Sequence, residues 1–312
     1  MGYSTIVCPA KPQKPLWFDW RLYCGNAIIN AGFTIEGCVP ELPEVETVVR
    51  ALRPRLLGKR LGKVRHVGLP LRRPWQPQWN RSISGLMIQS IERRGKWIIF
   101  NLDQSDCLIV HLGMTGKLWV TSAEAPPETH THLIITLMHK NEEIRYRDPR
   151  RFGSVILGKQ TDQAFLLTKE PLGPEPWQLH HNAWAKRLQA STRCLKALLL
   201  DQQVVAGVGN IYADEALFAA KLSPMTIGQQ LQLAQVKRLR SAIIRVLERA
   251  IAKHGSTIRN FYYGDSNRGS FQNEFRVYDR AGKPCTRCGQ SICRVRLAGR
   301  STYYCPVCQS DV

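Results

Sequence analysis

Pro40 and Glu41 open the run Pro40-Glu41-Leu42-Pro43-Glu44-Val45-Glu46-Thr47-Val48. A proline at a free N-terminus is a secondary amine held in a rigid ring. Such an amine can attack an electrophilic carbon and go on to an iminium, a charged Schiff base. An α-amino group titrates near about pH 8, so part of it is neutral at physiological pH, and nearby cations would enlarge that part. Inside a chain the same nitrogen is an amide without this reactivity. The chemistry therefore requires Pro40 to be residue one of the working protein, although 39 residues precede it. Glu41 puts a carboxylate beside the amine, where it could move protons. Glu41 and Glu44 also fit a simpler role, as helix N-terminal carboxylates favoured by the macrodipole.

A second constellation lies at the other end of the chain. Cys285-x2-Cys288-x16-Cys305-x2-Cys308 offers two CxxC pairs that an intervening hairpin can bring around one tetrahedral Zn²⁺. With four protein ligands the site is closed, hence structural rather than catalytic. Cys293 lies between the pairs as a bystander. Arg287, Arg294, Arg296 and Arg300 surround the motif, which predicts a finger touching phosphates.

Elements must position these groups. Val45, Val48, Val49, Leu52 and Leu56 recur at helical spacing, with Glu44, Glu46, Arg50 and Arg53 on the other face and Pro54 expected to end or kink the helix. Residues 60–160 read as β structure, with strands over 96–102, 108–110, 132–138 and 155–157 and turns at Gly113 and Gly116. Several short strands with turn signals suggest a sandwich. Pro171, Gly173, Pro174 and Pro176 mark a linker. The pattern then turns helical: one helix over 184–200, another over 211–220 after the Gly207-Val208-Gly209-Asn210 turn, and a long amphipathic helix over 229–254 with a basic polar face. A polar loop over 264–270 follows. The expected domains are an extension over 1–39, a catalytic sandwich over 40–170, a helical DNA-binding domain over 182–270 and a finger over 275–312.

Composition narrows the partner. The formal charge is +20 and the pI about 9.9, which implies an anionic partner, most often nucleic acid, bound in a salt-sensitive way. No apolar run approaches membrane-span length, and residues 1–39 lack the uninterrupted apolar core of a signal peptide, since Asp19 and Arg21 follow Leu16-Trp17-Phe18. Unpaired cysteines outside the metal motif fit a reducing cytoplasm.

The motifs together carry a resemblance. The Pro40 start, His111-Leu112-Gly113-Met114-Thr115-Gly116, Asp148-Pro149-Arg150-Arg151-Phe152-Gly153, Gly207-Val208-Gly209-Asn210-Ile211-Tyr212-Ala213 and the four-cysteine finger occur in one order. In this the sequence resembles the bacterial formamidopyrimidine-DNA glycosylases, from Pro40 to about the C-terminus. The resemblance implies an α+β fold: an N-terminal helix on a two-layered β-sandwich, a helical helix–two-turn–helix domain and a C-terminal zinc finger, with damaged double-stranded DNA in the cleft between the domains. It implies a monomer, cytoplasmic and nucleoid-associated, with one structural Zn²⁺ and no redox cofactor or catalytic metal. The implied activity is removal of oxidised purines, followed by strand cleavage through β- and δ-elimination.

Residue roles follow from the same resemblance. Pro40 is the nucleophile and Glu41 the acid/base. Lys96 stands near the lesion's phosphate and sugar; a solvated strand-end lysine is its plainer reading. Met114, Arg150 and Phe152 fill the gap left by a flipped base, where core packing is the plainer reading for Met114 and Phe152. Asn210 and Arg300 bind phosphate, Arg300 counting with the catalytic set. An N-cap role for Asn210 is compatible with that contact. His111 touches phosphate or sits in the core, Lys196 lies near the DNA, and the loop over 266–271 closes over the base.

Two alternatives stay open. An endonuclease VIII-like enzyme for oxidised pyrimidines shares the Pro-Glu start and the finger. A non-catalytic lesion-binding protein follows if residues 1–39 are retained. The extension itself reads as a mis-called upstream frame: Val39 precedes Pro40, and a valine codon such as GTG can start translation, after which removal of the initiator methionine would expose the proline.

Overall fold

The computed structural model describes residues 39–162, 171–257 and 267–310. Expectations for residues 1–38 and for 264–266 of the polar loop lie outside the described residues.

Helix α1 (Leu42–Leu56) turns Val45, Val48, Val49, Leu52 and Leu56 into the sandwich core. Pro54 lies inside its last turn without ending it, where only one backbone hydrogen bond is at stake. Glu44 departs from its expected place on the polar face: it is fully buried. Leu42 belongs to the other core, that of the helical domain, and its amide donates to the Gly207 carbonyl at 3.1 Å. The first turn of α1 therefore bridges the two halves of the protein.

Eight strands form two four-stranded antiparallel sheets. One has the order β1 (Leu61–His66), β6 (Thr131–Leu137), β7 (Glu142–Arg147), β5 (Lys117–Ser122). The other runs β2 (Ile88–Arg94), β3 (Trp97–Leu102), β4 (Asp106–His111), β8 (Ser154–Lys159). Their facing side chains make the sandwich core. The sequence patterns announce β3, β4, β6 and β8 as apolar runs. They hide β1, β2 and β7, in which charged residues stand between apolar ones, and β5, whose apolar run is only Leu118-Trp119-Val120. In β7, Ile144 and Tyr146 enter the core, while Glu143 and Arg145 are buried on the opposite face as a 2.9 Å ion pair. Arg145 also donates to the carbonyls of Ala125 and Pro126.

The helical domain holds α3 (His181–Gln189), α4 (Leu195–Leu200), α5 (Asn210–Ala220) and α6 (Leu233–Ala252), with a short helix α2 (Trp79–Ile83) back in the sandwich. The single helix expected over 184–200 is two. The chain breaks at the polar Ser191-Thr192-Arg193, and the amides of Leu195 and Lys196 turn away to the carbonyls of Thr226 and Pro224. Helix α5 is buried on almost every side; its apolar residues require this, and its two carboxylates are buried with partners, Asp214 against Lys196 and Glu215 on the amides of Val277 and Tyr278.

The finger is a β9 (Cys293–Leu297)–β10 (Arg300–Tyr304) hairpin between the cysteine pairs. A chain of aromatic contacts, Tyr212–Phe271–Phe275–Tyr278–Tyr303, joins it to the helical core. Arg287 stacks on Phe218 and donates to its carbonyl, so this finger arginine is an anchor and not a phosphate ligand. Among the described residues no helix is long and apolar enough to cross a membrane.

Candidate active site

A cleft of about 900 Å³ opens where the first turn of α1, the N-terminus of α5, the β2–β3 turn and the finger hairpin converge. It brings together Glu41, Lys96, His111, Met114, Arg150, Phe152, Asn210 and Arg300, residues drawn from positions far apart in the chain.

Glu41 is at its centre. It caps α1, and its carboxylate lies at the N-terminus of α5, accepting the amides of Gly209 at 2.8 Å, Ile211 at 2.9 Å and Tyr212 at 3.4 Å. Three amides at a helix N-terminus suit an anion. Gly209 is required there: a Cβ on it would lie 2.4 Å from the Glu41 carboxyl carbon and 2.5 Å from Lys96 Nζ. The same distances put the ammonium beside the carboxylate. Burial raises the Glu41 pKa above the ordinary carboxylate range, while Lys96 and the amides pull it back without cancelling the shift. Such a carboxyl can hold a proton and release it.

Glu44 lies beneath. Oε1 accepts the Tyr212 hydroxyl at 2.5 Å and the Ser256 amide at 2.7 Å, and Oε2 accepts the Glu41 amide at 3.0 Å. Burial first, and the nearby Glu41 charge second, push Glu44 up to about 7. Its role is to position Glu41 through the backbone. Pro40 is buried next to Glu41, and Val39, joined to its nitrogen, lines the cleft.

His111 ends β4. Its Nδ1 accepts the Gly113 amide at 3.0 Å, and its ring packs on Trp97 with centroids 4.5 Å apart. Desolvation, with Lys96, Arg72 and Arg73 adding to it, pushes His111 down to about 4. The ring is therefore neutral at pH 7, and with Nδ1 accepting, its proton sits on Nε2, which can donate to an anion without adding charge.

Met114, Arg150 and Phe152 lie on two loops at the lip. Phe152 is 46 % exposed, far from the core role that competes for it in the sequence, and Arg150 stacks over its ring at 4.7 Å. Asp148, fully buried, ties the loops together: it accepts the Thr115 hydroxyl at 2.5 Å and the Gly153 amide at 2.8 Å. The motif containing Asp148 is visible in the sequence, yet its role is not, because Thr115 is 33 residues away.

Asn210 is the first helical residue of α5, the N-cap being Gly209. Its side-chain amide donates to the Ser301 carbonyl at 3.1 Å, next to exposed Arg300. The expectation for Lys196 needs correction. Lys196 is fully buried, its ammonium 2.7 Å from Asp214 and donating to the Asn210 carbonyl at 2.9 Å. A charge committed to buried partners presents nothing to a solvent-side ligand. Asp214 in turn accepts the Tyr303 amide at 3.0 Å, so Lys196 and Asp214 dock the hairpin bearing Arg300 onto α5. Gln202 has no signal in the sequence: it donates to the Val208 carbonyl and accepts the Gly207 amide, each at 2.8 Å, shaping the turn before α5.

The sulfurs of Cys285, Cys288, Cys305 and Cys308 all lie within 4.8 Å of one another. Pairs stand 3.9 Å and 3.5 Å apart, close to the edge of about 3.8 Å that Zn–S bonds of about 2.3 Å give a tetrahedron. The residues fit a structural zinc, which would clamp both ends of the finger hairpin.

Comparison with known proteins agrees with this architecture. Residues 39–155 match the family model for the formamidopyrimidine-DNA glycosylase N-terminal domain, 172–262 that for the H2TH domain, and 282–310 a zinc finger found in FPG and IleRS. A formamidopyrimidine-DNA glycosylase of Desulfitobacterium hafniense is 39 % identical over 279 residues, covering 87 % of this chain and 100 % of that one. One from Chloroflexus aurantiacus is 41 % identical over 274 residues, covering 87 % and 98 %. The Lactococcus lactis Fpg in complex with abasic-site DNA superposes with a TM-score of 0.80 at 37 % identity, covering 87 % of this chain and 100 % of that one. The same enzyme bound to N7-benzyl-Fapy-dG DNA also gives a TM-score of 0.80.

Proposed function

The chain belongs to the formamidopyrimidine-DNA glycosylase family, and we propose that it excises oxidised purines from damaged duplex DNA with Pro40 as nucleophile and then cleaves the strand. The observation that carries this reading is the placement of Glu41: a buried carboxylate gripped by the N-terminus of α5 and set against Lys96, inside a cleft lipped by Met114, Arg150 and Phe152.

The damaged nucleotide leaves the stack and enters the cleft, and the three lip residues occupy the gap. The Pro40 nitrogen lone pair attacks C1′ of the deoxyribose. The glycosidic electrons depart with the base, which takes up the proton released from the Pro40 nitrogen. Glu41, its pKa raised by burial, donates a proton to the ring oxygen as the sugar opens to the iminium. The iminium acidifies the adjacent C2′ hydrogen; its loss expels the 3′ phosphate, and a second elimination expels the 5′ phosphate. Lys96 and His111 face the phosphate side, while Asn210 and Arg300 approach the backbone from α5 and the finger. A structural zinc holds the hairpin in place and takes no part in the chemistry.

Every covalent step requires a free Pro40 amine. With Val39 attached the nitrogen is an amide, and Val39 itself lines the cleft. The form retaining residues 1–39 would therefore bind lesions without cutting. Borohydride trapping on an 8-oxoguanine duplex tests both readings: protein beginning at Pro40 should be captured covalently, and protein retaining Val39 should not. Faster excision of thymine glycol than of 8-oxoguanine would favour the pyrimidine-specific alternative. N-terminal sequencing of the native protein identifies the working form; a mature terminus at Met1 or Gly2 would overturn the account of residues 1–39 as an untranslated frame.

A further inference from the structure

The β2–β3 turn that carries Lys96 is held from outside its own domain. Glu175 lies in the segment between sandwich and helical domain, with only 12 % of its side chain exposed. Its Oε1 accepts the Gly95 amide at 2.7 Å and Arg94 Nη1 at 3.0 Å. Arg93 Nη1 stands 2.8 Å from Oε2, off the line of a hydrogen bond, so that pairing is ionic. One carboxylate thus meets two guanidinium groups and the turn amide beside Lys96. Arg94 extends the grip to the carbonyls of Leu172 and Gly173 on the same segment. Arg93 ties it to α1 through Glu46 at 3.1 Å and to the turn through the Gly95 carbonyl at 3.0 Å.

The turn has little freedom to find its place otherwise. Gly95 adopts φ +57° and packs toward Ala206 and the Gly207 amide, on the loop that leads into α5. Lys96 must reach Glu41 from this turn, and Glu41 is fixed by α5 of the other domain. We propose that Glu175 is a positioning residue: it clamps the Arg93-Arg94-Gly95 turn to the interdomain segment and so holds Lys96 beside Glu41 when the two domains are docked. This rests on the active-site reading given for Lys96. A reactive group displaced by about 1 Å loses on the order of 100-fold in rate. Removal of Glu175 also leaves the partly buried Arg94 guanidinium without its counter-charge and Arg93 with Glu46 alone.

The test uses the trapping-competent form of the whole protein, with Glu175→Ala and the isosteric Glu175→Gln. Single-turnover excision of 8-oxoguanine should fall about 10-fold to 100-fold, with affinity for a tetrahydrofuran-containing duplex changing by less than about 3-fold. In a Lys96→Ala background the second substitution should cost less than about 2-fold, because its effect passes through Lys96. A residue of general structural importance would weaken binding and excision together and would act additively with Lys96→Ala; either result overturns the proposal, as does an unchanged rate. If Glu175→Ala fails to fold, Glu175→Gln, which keeps shape and an acceptor, decides alone. A wild-type protein that neither traps nor excises rejects the catalytic reading itself, a result distinct from any of these.

Discussion

Glu41 Oε2 accepts the Gly209 amide hydrogen at 2.8 Å across 168 residues of sequence. The acid/base candidate of the sandwich domain is thus completed by the helical domain. Gly209 permits it by having no side chain. Gly209→Ala would drive a methyl against the Glu41 carboxyl and Lys96 Nζ, and neither α1 nor α5 can retreat without opening a core. The expected outcome is excision reduced at least about 100-fold, with covalent trapping lost in parallel and the four-cysteine finger unaffected. Single-turnover assays alongside zinc content check this.

The Glu44 carboxyl predicts a pH signature. Its folded-state pKa of about 7 lies above the unfolded value of 4.5. The group's contribution is therefore fully present below about pH 4.5 and is lost as pH rises through about 7. Each pKa unit corresponds to about 1.4 kcal/mol, so the full span is on the order of 3.5 kcal/mol. Glu44→Gln should lower stability at acid pH, because an amide NH₂ then faces the Glu41 amide, and should flatten the decline between about pH 4.5 and 7 relative to wild type. Urea denaturation at several pH values measures both effects; equal slopes for the two proteins would refute the assignment.

The parts of the site that are legible in the sequence are those built from near neighbours. The Pro40-Glu41 start and the CxxC pairs announce their chemistry through local spacing, and α5 shows itself as an apolar run after a glycine turn. The hidden parts act at long range. Asp148 serves Thr115, Asp214 serves Tyr303 and Lys196, and Glu175 serves Gly95; none shares a local pattern with its partner. Strands β1, β2 and β7 stay concealed because charged residues stand between their apolar ones; in β7, Glu143 and Arg145 are buried only as a pair closed by the carbonyls of Ala125 and Pro126. Lys196, set near the DNA by the resemblance alone, is hidden in the same way: its buried partner Asp214 lies 18 residues on and shares no local pattern with it.

His111 and Arg300 both line the cleft but should differ in how they respond to salt. His111 is pushed down to about 4 and so is neutral at pH 7, whereas an arginine is always charged. Arg300→Ala should reduce the slope of log affinity against log salt by about one, the signature of one lost phosphate contact. His111→Ala should weaken binding while leaving that slope unchanged. Fluorescence anisotropy on a tetrahydrofuran duplex over a salt series separates the two, and a slope change for His111→Ala would mean its ring is charged in the complex.

Zinc removal should act on the finger and spare the sandwich. Structural zinc contributes about 10 kcal/mol or more to small metal-held domains, and the hairpin has only five paired positions of its own. Cys288→Ser should lower zinc content, expose 285–308 to proteolysis and weaken duplex binding about 10-fold or more as Arg300 loses its place. The sandwich core, which shares no residue with the finger, should keep its cooperative unfolding transition.

Asp148 offers the sharpest separation of recognition from chemistry. It touches neither Glu41 nor Lys96, yet it holds both lip loops: Thr115 follows Met114, and Gly153 follows Phe152. Its backbone carbonyl also pairs with His132 Nε2 at 3.0 Å, so the residue is fixed from behind and cannot swing to compensate for a loss at the front. Asp148→Ala removes both acceptors at once. The Gly153 amide, buried and fixed in the backbone, then loses its acceptor, and the Thr115 hydroxyl loses the partner that ties it to the other loop, at a cost of about 1–3 kcal/mol. The loops should loosen and the wedge of Arg150 on Phe152 lose its aim. With 2-aminopurine beside the lesion, the fluorescence rise that reports unstacking should slow about 10-fold. Trapping on a pre-formed single-stranded abasic site, which needs no wedge, should proceed at the wild-type rate. Equal losses in both assays would place Asp148 in the catalytic machinery instead of the lip.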